Sequence, residues 1–436
     1  MKSLITRNFR EASFFFDRKS HKSLFFEGQL APFAEKLLKD RKQSLPAKFL
    51  SEFSSETKQD ILDDFETMRE VIESFLASDA GDFLQAKSHR HSQKSALEEL
   101  SNYAVKNWQV ISANIEFTYL CNQHCYWCYL DNFSQKGLNK AKLEDLARQL
   151  KQAGIIFTLF TGGEVFLRKD AVEIMRMFAD NGLVLEVKTN GTLFTPKLMD
   201  ELAKLDLFDL QISVYEIKTG KSSWTNSHYD YSRLSKNLKR LVYLGLPVTV
   251  AVLVGKHNID HLQEYHDRLQ ETGVEEVFYS PYLTPCRSGS KKGMELRLSS
   301  REMEEKLAPF LESIGAFIVQ KEYRPNIEMD ESPCYAGRDQ IAIDPSGTVF
   351  PCLDFRVPVG DLQKESLSRI LLKRKEVLSS FKLREIAKCQ TCPLIKKCDS
   401  CIGTALIENS DYRKPSQHKC DVAYFYHTHQ PQGEKV

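Results

Sequence analysis

The sequence has no long apolar run and no surplus of charge of either sign. No stretch of its 436 residues approaches the ~18 consecutive apolar residues that a membrane-spanning helix needs. Sixty lysine and arginine residues balance 59 aspartate and glutamate residues, so charge gives no argument for nucleic-acid or membrane binding. The first residues lack the long apolar stretch and the cleavage site of a signal peptide, so we expect a cytoplasmic protein.

Cysteine is missing before residue 121 and abundant after it. The odd total of eleven, in a large chain expected to be cytoplasmic, argues against a disulfide framework. Clustered thiols in a reducing compartment usually hold metal. Seven of the eleven follow residue 330, which predicts a metal-rich segment near the C-terminus.

Three short apolar stretches open the chain, and helical patterns follow them. The stretches Leu4–Phe9, Ser13–Asp17 and Ser23–Glu27 are typical of a β-meander. Apolar residues then recur at helical spacing between Ile61 and Phe75. These patterns predict a small α+β unit at the N-terminus, followed by a polar linker with a short helix at its end.

From residue 112 strands and helices alternate, which predicts a parallel sheet with helices outside it. Six strands are expected, at Asn114–Tyr119, Ile155–Phe160, Leu183–Thr189, Leu210–Tyr215, Val248–Val254 and Val277–Tyr282. Six repeats are too few for an eight-stranded barrel, so a partial barrel and an open doubly wound sheet both fit. Either fold places functional residues at the carboxyl ends of the strands.

After about residue 316 the chain becomes irregular. A hairpin around the turn Asp344–Gly347 and one helix near Glu365–Phe381 are expected, and the rest is expected to be cysteine-rich loop. The chain is therefore divided into a small α+β unit over 1–85, a linker over 86–110, a partial barrel over 111–315 and a cysteine-rich domain over 316–436.

Three cysteines follow the first barrel strand at spacings of four and three. Cys121, Cys125 and Cys128 lie in one loop at the carboxyl end of that strand. Three thiolates leave one iron of a cubane [4Fe–4S] cluster without a protein ligand, and an open metal position suggests binding of a substrate or cofactor. A zinc knuckle and buried structural thiols are the alternatives.

With Trp127 just before its third cysteine, this pattern resembles the signature of radical S-adenosylmethionine enzymes. The resemblance implies that S-adenosylmethionine binds the open iron and that one electron cleaves it to a 5′-deoxyadenosyl radical, which takes hydrogen from a substrate. It also implies a set of cofactor-binding residues at the ends of the first four strands. These are Trp127, Thr161, Gly162, Gly163, Glu164, Asn190 and Ser213.

The later cysteines resemble the SPASM domain of peptide-modifying radical enzymes, and the resemblance assigns two auxiliary [4Fe–4S] clusters. The distal cluster would be held by Cys389, Cys392, Cys398 and Cys420. The cluster nearer the active site would be held by Cys334, Cys352 and Cys401. Two residues separate Cys398 from Cys401, where the family usually has three. A pair of zinc ribbons is the alternative, since C-x2-C pairs also serve zinc.

Two more residues have open roles. Cys286 lies just after the sixth strand, and three alternative roles are open to it. It is either a fourth ligand of the nearer cluster, or a substrate-facing residue, or an inert buried thiol. Asp354 lies two residues after Cys352, whereas anaerobic sulfatase-maturing relatives have a catalytic aspartate directly after the equivalent cysteine. We expect Asp354 to be a general base or a cluster neighbour, with a solvent-exposed aspartate as the alternative.

The N-terminal unit resembles the winged-helix leader-binding element of ribosomal-peptide maturases, whose third strand accepts a leader peptide as an added strand. We therefore expect an α/β protein: a partial (β/α)6 TIM-type barrel between a winged-helix-like α+β domain and an iron–sulfur SPASM domain. Its expected function is oxidative modification, such as crosslinking, of a precursor peptide with a leader sequence.

The expected partners are that peptide and a low-potential electron donor such as flavodoxin or ferredoxin, with no nucleic acid and no membrane. A protein-maturing dehydrogenase that makes formylglycine is one alternative function. A zinc-stabilised peptide-binding protein without catalysis is the other.

Overall fold

The computed structural model describes residues 3–77, 95–316, 328–398 and 401–429. Within these ranges the strands form a three-stranded sheet, a nine-stranded sheet and a two-stranded hairpin. No helix in the described ranges has the length and apolar character needed to cross a membrane.

The N-terminal unit is an antiparallel sheet with helices on one face. Its strands pair in the order β1-β2-β3 and are β1 (Leu4–Asn8), β2 (Ala12–Asp17) and β3 (Ser23–Glu27). Its helices are α1 (Ala31–Lys39), α2 (Ala47–Leu50) and α3 (Ser55–Ala77). Phe15 shares a buried core with Phe65 and Ile72 of α3. The order of three strands and then three helices confirms the predicted element order, and the winged-helix assignment stays a prediction.

The other face of this sheet packs on the barrel. Because side chains alternate along a strand, Phe14 and Phe16 point away from Phe15 and contact a core that includes Phe157 and Val184. The next helix, α4 (Ala96–Asn107), packs against β3 and lies within the predicted linker, whose residues 86–94 fall outside the described ranges. The N-terminal unit thus covers the amino ends of the barrel strands.

Six parallel strands form the barrel, as predicted, and a short hairpin interrupts them. The strands are β4 (Ser112–Thr118), β5 (Phe157–Gly162), β6 (Val184–Thr189), β7 (Leu207–Val214), β8 (Gly220–Ser222), β9 (Ser227–Tyr229), β10 (Val248–Leu253) and β11 (Glu276–Ser280), of which β8 and β9 form the hairpin. The helices are α5 (Lys140–Gln152), α6 (Ala171–Asp180), α7 (Pro196–Leu202), α8 (Tyr231–Tyr243), α9 (Leu262–Gln270), α10 (Ser300–Glu302) and α11 (Ala308–Ser313). A π-helical turn at Met303–Leu307 joins α10 to α11.

The helices cover only one face of this sheet. In β10, Val248, Val250 and Val252 are buried in the main core, and the residues between them are half-buried. One-sided helix cover is the pattern of a barrel wall, so the partial barrel is confirmed over the doubly wound sheet. Glu116 lies on the inner face, because Ile115 and Phe117 on either side of it belong to the main core.

The cysteine-rich domain continues the barrel sheet. Its strands are β12 (Gln340–Ile343), β13 (Thr348–Phe350) and β14 (Gly360–Asp361), and β12 runs parallel to β4. Its helices are α12 (Leu367–Leu378), α13 (Ala387–Gln390), α14 (Ile402–Asn409) and α15 (Gln417–Thr428).

One expectation for this domain was wrong. In the described residues, the region after α12 holds the helices α13, α14 and α15 instead of loop alone. The domain also has a small core of its own, in which Phe355 packs with Leu383, Ile386 and Ile402.

Candidate functional site

The loop from Cys121 to Cys128 begins three residues after β4, and backbone contacts hold its start. The N–H groups of Gly163 and Glu164 donate to the carbonyl oxygens of Thr118 (2.7 Å) and Leu120 (2.8 Å). A Cβ atom on Gly163 would lie 2.2 Å from the Leu120 oxygen, and one on Gly162 would lie 2.4 Å from the Thr118 oxygen. Both glycines therefore serve the close approach of β5 to this loop.

Glu164 is buried and connects two strand ends. Its carboxylate accepts hydrogen bonds from the Thr189 hydroxyl (2.7 Å) and from the N–H groups of Asn190 (2.8 Å) and Phe166 (3.1 Å). Burial raises the pKa of Glu164, and these donors lower it. The carboxylate thus holds the end of β6 in place, and its assignment to an ammonium group stays a prediction.

Asn190 and Ser213 lie where the sequence placed them, at the carboxyl ends of β6 and β7. The Asn190 amide donates to Asn122 in the cysteine loop at 2.9 Å, which ties β6 to that loop. Ser213 is half-buried and shares a hydrogen bond with the Tyr215 hydroxyl. Burial raises the pKa of Tyr215 well above its usual value, and the three thiols of the loop add to that rise.

The hairpin β8–β9 covers the cysteine loop, and no motif in the sequence predicted it. The carbonyl oxygens of Trp224 and Thr225 accept hydrogen bonds from the N–H groups of Tyr126 (2.7 Å) and His124 (2.9 Å). Trp127 is buried and stacks on His257, with 4.6 Å between ring centroids.

His257 is the second feature that the sequence analysis missed. Neither of its ring nitrogens has a hydrogen-bond partner among the described residues, and burial lowers its pKa to about 4. His257 is therefore a neutral ring at the carboxyl end of the barrel.

The three thiols of the loop are close enough to affect one another. Burial raises the pKa of Cys121 to about 11 and that of Cys125 well above its usual value, and neighbouring thiols of the loop add to both shifts. No three His, Cys, Asp or Glu side chains in the described ranges stand at the spacing of a single-ion site. A cubane bonds each thiolate to a different iron and therefore needs wider spacing. Three thiols carried on one short loop therefore fit an iron–sulfur cluster better than a single metal ion.

The thiols assigned to the nearer auxiliary cluster come together around Cys352. Burial raises its pKa well above the usual value, and Asp354, Cys401 and Cys334 add to the rise. The sulfur of Cys352 accepts the Phe355 N–H at 3.2 Å, and that of Cys401 caps α14 by accepting the Thr404 N–H at 3.4 Å. Donors to sulfur of this kind are typical of iron–sulfur ligands.

The thiols assigned to the distal cluster line one cavity of about 180 Å³. Five cysteines contribute to its wall, namely Cys389, Cys392, Cys398, Cys401 and Cys420. Lys388 lowers the pKa of Cys420 against the raising effect of burial. The donor set and the enclosed space fit a cluster, and Cys401 lies between the two thiol groups.

Cys286 lies beside the first thiol group. It is 7% exposed, its sulfur is 3.3 Å from the Ser288 hydroxyl oxygen, and it adds to the pKa rise that burial causes at Cys128. Asp354 is half-buried next to Cys352, and its backbone packs so closely on α14 that a Cβ atom on Gly403 would lie 2.6 Å from it. The structure thus places Asp354 beside the Cys352 thiol, and its roles as a general base and as a cluster neighbour both stay predictions.

A buried charge cluster joins the barrel to the cysteine-rich domain and was not foreseen. Glu116 of β4 lies 2.6 Å from Arg287 and 3.0 Å from Arg356, and the Tyr119 hydroxyl donates to it at 2.8 Å. The available signal was Glu116 as the single charged residue of β4. Its partners Arg287 and Arg356 follow cysteines in distant parts of the sequence. Only the folded structure shows that these arginines lie next to Glu116.

Two family models match the chain. A model described as the radical SAM superfamily matches residues 115–269, and a model described as an iron–sulfur cluster-binding SPASM domain matches residues 334–402. These domains imply S-adenosylmethionine and [4Fe–4S] clusters as cofactors.

Curated relatives and solved structures are similar over most of the chain. The AdoMet-dependent heme synthase of Methanosarcina barkeri is 22% identical over 68% of this chain and 92% of its own. The subtilosin biosynthesis protein AlbA of Bacillus subtilis is 23% identical over 70% of both chains. The structure of Streptococcus suis SuiB bound to precursor peptide SuiA superposes with a TM-score of 0.61 over 96% of this chain and 98% of that one, at 15% identity. This last likeness shows a shared fold.

Proposed function

This chain is a radical S-adenosylmethionine protein with an SPASM domain, and from that premise we propose that it modifies a ribosomally synthesised precursor peptide. The observation that carries the proposal is the cysteine loop at the open end of the barrel, in the same chain as an N-terminal unit that covers the other end. The names of AlbA and SuiB, a bacteriocin biosynthesis protein and a protein crystallised with its precursor peptide, support a peptide as substrate.

Cys121, Cys125 and Cys128 would hold the first cluster, and Cys334, Cys352, Cys401 and the four distal thiols would hold two more. When bound, the first cluster and S-adenosylmethionine supply a carbon radical that removes a hydrogen atom from the substrate. The protein's part is to fix this loop, through the glycine contacts of β5, the Asn122–Asn190 hydrogen bond and the hairpin carbonyls. Trp127 and the hairpin also cover part of the loop, with Trp127 stacked on Trp224 of the hairpin turn.

The N-terminal unit would bind the leader part of the peptide. Among the described residues β3 pairs with no strand other than β2, so an added strand would pair along its other edge, next to α4, which packs against β3. On α3, Leu62 and Leu76 are 37% and 39% exposed beside the buried stripe of that helix. An apolar helix face next to a strand edge is the combination that holds an extended peptide.

The electron for S-adenosylmethionine cleavage would come from a low-potential carrier such as flavodoxin or ferredoxin. The auxiliary clusters would take up the second electron or bind the substrate, so that an oxidised product such as a crosslink can form. The N-terminal unit, which is not needed to oxidise a single serine or cysteine, favours this function over the formylglycine-forming alternative.

The proposal is tested with protein reconstituted without oxygen, its precursor peptide and dithionite. We expect 5′-deoxyadenosine together with a change in the mass of the peptide. Absence of 5′-deoxyadenosine under these conditions would refute the proposal.

Leader binding has its own test. Leu62→Asp with Leu76→Asp should weaken binding of the precursor peptide at least tenfold, measured by fluorescence anisotropy. Leu372→Asp is the matched control, because Leu372 is an exposed leucine on α12 of the cysteine-rich domain. Unchanged affinity in the double variant would refute the leader site and leave the chemistry in place.

A further inference from the structure

We propose that the charge cluster of Glu116, Arg287, Arg356 and Tyr119 sets the reduction potentials of the two metal centres on either side of it. We call it the Glu116 cluster. The inference rests on the proposed function, because those centres are the ones that the Cys121–Cys128 loop and the thiols around Cys352 would hold.

Glu116 and Tyr119 are buried, the two arginines are mostly buried, and every member of the cluster is paired. The Glu116 side chain is 0% exposed, and those of Arg287 and Arg356 are 13% and 16% exposed. Both arginines also donate to the Tyr119 hydroxyl oxygen, at 3.0 and 3.3 Å. Burial, the largest single effect, lowers the pKa of the Arg287 guanidinium, but Glu116, Tyr129 and Tyr119 together raise it above its usual value. Buried charges are costly to desolvate, so packing alone does not explain three of them in one place.

The cluster touches both thiol groups through the backbone. The N–H of Arg287 donates to the carbonyl of Tyr129 at 3.0 Å, directly after Cys128. Its guanidinium donates to the carbonyl of Leu353 at 3.0 Å, directly after Cys352. Arg287 therefore bridges the two loops that carry the thiols.

Tyr119 and Arg356 lie near the thiols in the sequence as well. Tyr119 lies two residues before Cys121, and Arg356 lies four residues after Cys352. The members of the cluster thus stand next to both thiol-bearing loops.

The charges in this region balance. Two arginines face Glu116, and the second carboxylate is that of Asp344, 3.9 Å from Arg356. Reduction adds one electron, and hence one negative charge, to an iron–sulfur centre, and net charge near a cluster helps to set its potential. Nearby positive charge favours the reduced state, and the low dielectric of the interior strengthens the effect. Removing a cation or the anion should therefore move the potentials in opposite directions.

The test compares Glu116→Gln with Arg287→Gln in fully reconstituted protein. Midpoint potentials are measured by redox titration followed by electron paramagnetic resonance. We expect Glu116→Gln to raise the potentials of the centres next to the cluster and Arg287→Gln to lower them. Arg287→Lys, which keeps the charge, should move them least. Shifts of the same sign in the two glutamine variants, or no shift, would overturn the inference, since loosened packing gives no opposite signs.

A neighbouring ion pair supplies the matched control. Arg297 and Glu408 are 2.6 Å apart, are 11% and 8% exposed, and also join the barrel to the cysteine-rich domain. Arg297 donates to the carbonyl of Leu283. Arg287 instead donates to the carbonyls of Tyr129 and Leu353, in the two thiol-bearing loops. Glu408→Gln should therefore leave the potentials unchanged, and a shift as large as that of Glu116→Gln would overturn the inference.

A second cation keeps the test decisive if Glu116→Gln does not fold. Arg356→Gln must then lower the potentials as Arg287→Gln does, and an upward or absent shift in either contradicts the inference. If the wild-type protein binds iron and cleaves S-adenosylmethionine but the variants have unchanged potentials, this inference is refuted and the proposed function stands. Wild-type protein without iron refutes the proposed function and the inference with it.

Discussion

The two thiol regions of this molecule are built in different ways. The first has its three thiols in one short loop, from Cys121 to Cys128, and the backbone of β5 and of the β8–β9 hairpin fixes that loop from outside. The second has its thiols spread from Cys334 to Cys420, on a strand connection, on helix termini and in turns. The thiols of the first region are therefore close in sequence, and residues distant in sequence hold their loop in place. The thiols of the second region are far apart in sequence, so only the tertiary fold brings them together.

The largest effect that separates the regions is expected from Cys125→Ala. Losing one of only three ligands should abolish formation of 5′-deoxyadenosine, because no other cysteine belongs to that loop. Binding of the precursor peptide should persist, because the proposed leader site lies at the opposite end of the barrel. Chromatography measures the 5′-deoxyadenosine that is formed, and fluorescence anisotropy with the labelled peptide measures peptide binding. Residual cleavage above one-hundredth of the wild-type rate would contradict the assignment of this loop.

Two glycine substitutions sharpen the comparison. Gly163→Ala would place a Cβ atom 2.2 Å from the Leu120 oxygen, and Gly403→Ala would place one 2.6 Å from the Asp354 backbone. Overpacking of this kind costs about 1–3 kcal/mol of folding free energy and shifts the backbone. Neither glycine has a positive φ, so the effect of each change is steric.

Their effects should fall on different functions. Gly163→Ala should lose most S-adenosylmethionine cleavage and keep the auxiliary irons, whereas Gly403→Ala should keep cleavage and lose peptide product. Iron analysis, 5′-deoxyadenosine formation and peptide mass measured on the same samples make the check. Equal loss of all three in both variants would show that the two regions are not separable.

The sequence predicted the six barrel strands, because each is an apolar run between helices, and it predicted the first thiol group, because all of its ligands lie in one loop. It did not predict that β12 would extend the sheet beside β4, because pairing of distant strands leaves no local signal. For the same reason the sequence did not predict the ion pairs of Arg287 and Arg356 with Glu116. The helices α14 and α15 were missed because Gly403 and Cys420 interrupt their apolar patterns.

A smaller effect, on the pH dependence of stability, is expected from the titration of His257. This residue lies next to the first thiol region, where it stacks on Trp127. Its pKa is about 4 in the folded protein against an unperturbed value of about 6.5. Between these values the unfolded chain binds a proton that the folded chain does not, so lowering the pH favours unfolding. His257 should therefore cost about 1 kcal/mol of stability per pH unit below 6.5.

The measurement is the thermal midpoint of wild type and His257→Phe between pH 7 and pH 5. Phenylalanine keeps a ring on Trp127 and removes the titration, so the midpoint of the variant should fall less as the pH is lowered. Identical pH dependence in the two proteins would contradict a buried neutral histidine.

The smallest effect is expected from Cys286→Ala. The structure places this thiol beside Cys128, and it is not among the thiols that raise the pKa of Cys352 most strongly. We therefore expect the same iron content as in the wild type, by colorimetric iron analysis. A loss of about four irons would instead make Cys286 a cluster ligand.

The most direct test of the whole account is the iron, sulfide and zinc content of protein purified and reconstituted without oxygen. Three cubanes give about 12 irons and 12 sulfides per chain, and the variant with Cys121, Cys125 and Cys128 all replaced by alanine should hold about 8. That pair of results would support one cluster in the first region and two in the second. Zinc with little iron would contradict the radical chemistry and leave a metal-stabilised peptide-binding protein.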